Sequence, residues 1–135
     1  MTKADKAAAL HREKNYNCCQ AVVCAFAEEL GVDPQILFKT AEGFGSGMGG
    51  MKGDCGALAG AVMVNGLKNS NGQLDRATSK AATQKISREI FDQFAARTGS
   101  PVCRELKGVD TGKVLCSCEN CIRIAAEIAE ETLNL

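Results

Sequence analysis

The chain has no tryptophan, one tyrosine and five phenylalanines among 135 residues, and only two prolines and one histidine. Scarce aromatics exclude a base-stacking platform for single-stranded nucleic acid. Sixteen basic residues balance sixteen acidic ones, so there is no basic excess to hold nucleic acid or an anionic membrane surface. No long apolar run is present either. The longest, Ala57 to Val64, is interrupted by Gly60 and is too short to cross a bilayer. The first residues, Met1-Thr2-Lys3-Ala4-Asp5-Lys6, lack the apolar region of a secretory signal. The expectation is a soluble cytoplasmic protein without nucleic-acid or membrane partners. A chain this long supports one domain with a sizeable core, residues 1–135. What the sequence has in abundance is cysteine, eight in all. In a reducing compartment that abundance points to metal ligation or redox chemistry rather than to structural disulfides.

Apolar periodicity is helical almost throughout, and no segment alternates with period two. Helices are expected over Lys3–Lys14, over Cys18–Leu30 with Asn17 as cap and Gly31 as stop, and from Asp33-Pro34 to Glu42. A fourth opens at Asp54 or Cys55 and fades near Asn69. A long one spans Leu74–Arg97, with Leu74, Ala77, Ala81, Ile86, Ile90 and Phe94 near one face. A short turn opens at Ser100-Pro101 and runs to Leu106, and the last helix covers Cys118–Leu133. Gly43 to Gly53 holds six glycines. The fold class is therefore all-α, a compact multi-helix bundle with a Gly-rich loop before a central buried helix. The loop is not a phosphate cradle: Lys52 is followed by Gly53 instead of Ser or Thr, and no strand precedes it. Its better use is close backbone approach to an anionic centre beside Cys55.

Turning about 100° per residue, Cys19, Cys55 and Cys121 each fall within the apolar stripe of their own helix, so three inward cysteines on three helices could meet. Cys24 falls opposite and Cys18 on the flank, and both read as bystanders. Position along the helices is a second regularity. Cys19, Cys55, Cys103, Cys118 and, one turn in, Cys121 lie near expected helix starts, where free amides and the positive end of the dipole favour thiolate over thiol. Free cysteine also behaves as a small buried apolar residue, but several buried structural cysteines have no reason to gather at helix starts. Cys116-Ser117-Cys118-Glu119-Asn120-Cys121 is the densest cluster. It completes no zinc-ribbon pattern, because there is no second C-x-x-C and His11 stands alone on a polar helix.

At Cys55-Gly56-Ala57-Leu58-Ala59-Gly60 the sequence resembles the C_GCAxxG_C_C family of putative redox-active proteins. The resemblance makes Cys19, in Asn17-Cys18-Cys19-Gln20, the first family cysteine, Cys55 the second, Cys103 the third and Cys121 the last. It is also similar to a domain of split-Soret cytochrome c, which implies a non-haem iron or iron–sulfur site. The expected function is electron transfer by an iron–sulfur cluster, [2Fe–2S] being the expected type, held by Cys19, Cys55, Cys103 and Cys121. Cys116 or Cys118 could replace the last ligand. The alternatives are a metal-free thiol–disulfide couple among the same cysteines and a four-thiolate zinc site. The redox partner is unspecified, no acid–base pair marks an enzyme, and Ala/Gly-rich helices are compatible with a homodimer.

Overall fold

The computed structural model describes residues 1–135 as eight helices and no strand: α1 (Lys3–Lys14), α2 (Cys18–Cys24), α3 (Ala27–Leu30), α4 (Pro34–Ala41), α5 (Gly56–Asn69), α6 (Lys80–Thr98), α7 (Cys103–Leu106) and α8 (Cys118–Leu133). None is long and apolar enough to cross a membrane. Helix starts follow local chemistry. Thr2, Asn17, Asp33 and Ser117 each accept a backbone N–H from the first turn of the helix they precede, satisfying donors the helix cannot satisfy itself. At α2 the cap is reciprocal: Asn17 accepts from the Gln20 N–H, and the Gln20 side chain accepts from the Asn17 N–H, both at 2.9 Å. His11 closes the other end of α1, its ring nitrogen 2.8 Å from the Tyr16 carbonyl oxygen to which it donates.

The bundle is organised around α5, which packs on α2, α6 and α8, while α1 lies across α8 and α2 and α4 covers α2. Alanine dominates the contact layers, with Ala7, Ala21, Ala57, Ala61, Ala126 and Ala129 all wholly buried. Such small residues bring backbones close together. Gly60 is one such point: a Cβ there would stand 2.9 Å from Val22 Cβ and 3.0 Å from the Cys19 carbonyl oxygen. The larger anchors are Phe26, Leu58, Ile90, Phe94 and Ile128. Asn65, buried in α5, donates to the Thr83 carbonyl at 2.9 Å and the Ser87 hydroxyl at 2.8 Å, so α6 is held to α5 by polar as well as apolar contacts.

Several expected boundaries move, among them the short turn expected from Ser100-Pro101, which opens at Cys103 with Val102 as its cap. The helix after Asn17 breaks at Ala25-Phe26, where Phe26 takes a non-helical backbone while its ring is wholly buried. The long helix begins at Lys80, not Leu74. Residues 70–79 are a side-chain-built loop, in which Ser70 Oγ accepts from Gly72 N–H and Asn71 Oδ1 accepts from Gln73 N–H. These local bonds offer the backbone an alternative to helix, and Leu74 is left 98% exposed rather than in the core. The central helix starts at Gly56, one residue after Cys55 and two after Asp54, with Cys55 as its cap.

The packing at Gly60 predicts a contrast within one helix. Gly60→Ala should lower the urea-unfolding midpoint, because overpacking of about 1–3 kcal/mol exceeds the gain in helix propensity of about 1 kcal/mol. Gly66→Ala meets no atom within 4 Å and should raise the midpoint by the propensity gain alone.

Candidate functional site

Six cysteines line a single cavity: Cys18, Cys55, Cys103, Cys116, Cys118 and Cys121, joined only by Ser46, Leu106 and Lys107. The space between them is about 20 Å³, room for about one water molecule. The sulfurs come from four separate stretches of chain, and their placement follows from backbone anchoring. Cys18 is the first residue of α2, set by the reciprocal Asn17–Gln20 cap. Cys55 and Cys103 are tied together by an isolated antiparallel bridge between Asp54 and Val102. In that bridge Cys55 N–H donates to the Pro101 carbonyl at 2.7 Å and Cys103 N–H to the Gly53 carbonyl at 3.1 Å. Leu106 presents its carbonyl to the N–H groups of Leu115, at 2.9 Å, and Cys116, at 3.4 Å, fixing the entry to α8. Ser117 then caps α8, making Cys118 its first residue and placing Cys121 one turn in.

Two glycines make the convergence sterically possible. A Cβ on Gly56 would land on the Cys18 sulfur, and one on Gly47 would lie 2.5 Å from Cys103 Cβ. Gly47 also has φ +59°, where a side chain is strained in any case. Gly56 is thus the second residue of the C-G-A-x-x-G run because the Cys18 sulfur occupies the space beside it.

Four of the six cysteines, Cys18, Cys55, Cys103 and Cys118, stand at the cap or first position of a helix, where backbone N–H groups have no helical acceptor. Their effect is clearest at Cys55. Its pKa falls from the usual 9.0 to about 7, first through the adjacent Cys121 thiol and then, against the cost of burial, through the amides of Ala57 and Leu58. Cys121 moves the opposite way because it supplies the hydrogen bond to Cys55 and is desolvated, so the pair carries one negative charge between two sulfurs. Its thiol also lies 3.8 Å from the Cys116 carbonyl oxygen. Burial raises Cys18 and Cys103. Lys107 is the one cation on the cavity wall. Burial disfavours its charge, but Cys118, Cys103 and Cys18 together outweigh that and hold the ammonium form more firmly.

Among the four cysteines expected as ligands, the structure brings Cys55, Cys103 and Cys121 to one cavity and leaves Cys19 elsewhere. Cys19 is fully buried beneath α2, its sulfur 3.6 Å from Met63 Sδ, and desolvation pushes its pKa up to about 12. Cys18, read from sequence as a bystander, occupies the α2 position on the cavity. One residue turns a helix by about 100°, so adjacent cysteines cannot share a target, and the capped register gives the cavity to Cys18. Cys116 and Cys118 both reach the wall, and Cys24 does not. Lys107 and Ser46 escaped the sequence reading. Lys107 had one sequence sign, its place four residues after Cys103 on the same face.

All eight cysteines are free thiols, and no three His, Cys, Asp or Glu side chains stand together as a finished metal-ligand set. The cavity is therefore a gathered set of sulfurs, not a closed coordination shell. A family model described as "Putative redox-active protein (C_GCAxxG_C_C)" matches residues 16–132. No curated protein and no solved structure matches the chain.

The Cys55–Cys121 pair predicts a pH signature. With the folded pKa of Cys55 below that of a free thiol, the folded chain releases a proton near pH 7 that the unfolded chain keeps until about 9. Unfolding free energy should therefore rise with pH across that window, and the stabilisation should vanish as pH falls through 7. Thiolate ultraviolet absorbance of the metal-free folded protein should rise by one group centred near pH 7, and Cys55→Ser should remove both effects.

Proposed function

Because the chain belongs to the C_GCAxxG_C_C family of putative redox-active proteins, we propose that its cysteine cavity is a redox centre whose thiolates hold an iron–sulfur cluster for electron transfer. The observation that carries this reading is the gathering of six sulfurs on one cavity, four of them at helix starts. A protein that exchanges disulfides needs two cysteines, one of them open to its partner. Here Cys55, Cys103 and Cys121 are 6%, 3% and 2% exposed, suited to enclosing a group, and only Cys18, Cys116 and Cys118 at the rim are half-buried.

The donor set fits an iron–sulfur cluster in kind, since four thiolates are its usual complement. Cys18, Cys55, Cys103 and Cys121 would hold it, one from each of α2, the cap of α5, α7 and α8. Cys116 and Cys118, both half-buried, stand by as the alternative donors on the α8 side. The present space suits one atom better than a two-iron core, so the sulfurs must draw outward to accept it. When bound, the cluster supplies the capacity to take up and release one electron. The chain's own groups manage charge and water. The Ala57 and Leu58 amides donate to the Cys55 sulfur, and such bonds to ligand sulfurs raise a cluster's potential. Lys107 offsets thiolate charge, and Leu106, 2% exposed, keeps water from the wall.

A metal-free dithiol couple is the second reading, and the shared proton of Cys55 and Cys121 favours it. Anaerobic purification with a visible spectrum and iron, sulfide and zinc analysis separates the two. A brown protein with stoichiometric iron and sulfide is expected. Cys18→Ser and Cys55→Ser should each lose most of the iron, whereas Cys19→Ser and Cys24→Ser should keep it, even if Cys19→Ser melts earlier. A colourless protein that holds no metal and loses two thiols on oxidation, between Cys55 and Cys121, would establish the dithiol couple instead. Colourless protein with one zinc per chain would overturn both.

A further inference from the structure

On the outer side of the glycine-rich loop lies a groove of about 620 Å³ between α5 and α6, within the range of small-molecule sites. Phe44, Met48, Val62 and Phe91 form its apolar surface, and Asp54 and Arg88 are its only charged residues. It shares a wall with the cysteine cavity. Asp54 lines the groove and its neighbour Cys55 the cavity. Met48 lines the groove, and its neighbour Gly47 presses on Cys103. The glycine-rich loop thus contributes to both linings, Ser46 to the cavity and Met48 to the groove. Its backbone is strained, with Ser46, Met48 and Met51 all left-handed at φ 56°, 65° and 63°, a condition that collects at ligand clamps. Met48 is 64% exposed at the groove's edge, a large flexible apolar side chain with no protein surface to cover it. Arg88 lines the groove and, like Arg76, takes part in no ion pair, whereas Arg12, Arg97, Arg104 and Arg123 pair with carboxylates.

We propose that this groove binds a flat aromatic electron carrier with an anionic tail, the chemistry of flavin mononucleotide. Its ring system lies against Phe44, Met48, Val62 and Phe91, and its phosphate meets Arg88. Asp54, the groove's one carboxylate, turns the phosphate away from the side that borders Cys55. The purpose given to the groove rests on the redox function proposed above, but the binding geometry does not. The carrier is brought to the stretch of chain that also lines the cysteine cavity, as an electron donor or acceptor for a buried centre must be.

Titration of the purified chain with flavin mononucleotide, followed by flavin fluorescence, tests the proposal. Saturable quenching at one site per chain is expected. Arg88→Gln should weaken it about tenfold, the value of one charge-assisted contact. Riboflavin, which lacks the phosphate, should bind the parent chain about tenfold more weakly too and should be indifferent to Arg88→Gln. Val62→Trp, which fills the groove from its half-exposed α5 face, should abolish quenching while circular dichroism stays helical. Cys55→Ser should bind flavin like the parent, so that losing the cluster and losing the carrier are separate results. Absence of quenching, or quenching unchanged by both Arg88→Gln and Val62→Trp, overturns the proposal.

Discussion

The structure depends on keeping several sulfurs together away from water while at least one of them is ionised. Burial alone drives thiols towards the neutral form, as it does at Cys19, Cys18 and Cys103. The counterweight is local and made of backbone. Helix starts direct unpaired amides at the cavity, and the Cys121 thiol donates to Cys55. Lys107 brings the single full positive charge. Without these, six sulfurs on one cavity would be six inert hydrophobic side chains, and with them the cavity can carry negative charge at neutral pH.

That requirement explains the scaffold's preference for small residues. Cysteines from α2, α5, α7 and α8 can share a cavity that holds little more than a water only if the supporting backbones approach closely, as the alanine layers and Gly60 permit. The Asp54–Val102 bridge does the same for the two cysteines on short or irregular segments. Its two backbone bonds lock Cys55 to Cys103 directly, without relying on a long helix to position either. Gly56 belongs to this logic as well, since the α2 sulfur fills the space beside it.

The all-α class was legible from the 3.6-residue period, and α1 and α8 begin and end where their caps and apolar faces indicate. Cys55, Cys103 and Cys121 were legible as a group from their places near helix starts and in the family pattern. Sequence reasoning lost its way where side chains compete with the helix. Residues 70–79 carry enough Ser, Asn and Thr to build a loop from side-chain bonds, and the apolar Leu74 there was counted as core. It also failed between Cys18 and Cys19. Stripe analysis correctly aimed Cys19 inward with Val22, Val23 and Phe26, but inward there means the core beside Met63, not the cavity at the helix end.

Sequence by itself determined that the chain is a helical bundle, that its cysteines gather near helix starts, and that glycine precedes the central helix. These are local matters of period, capping and backbone freedom, written within a few residues of each position. Only the tertiary structure decided which cysteines meet. The direction of a side chain at a helix end depends on where the neighbouring helices lie, and a shift of one residue, about 100°, exchanges the cavity for the core. Lys107 and the Arg88 groove were decided the same way, because a charge acquires its meaning from what surrounds it in space.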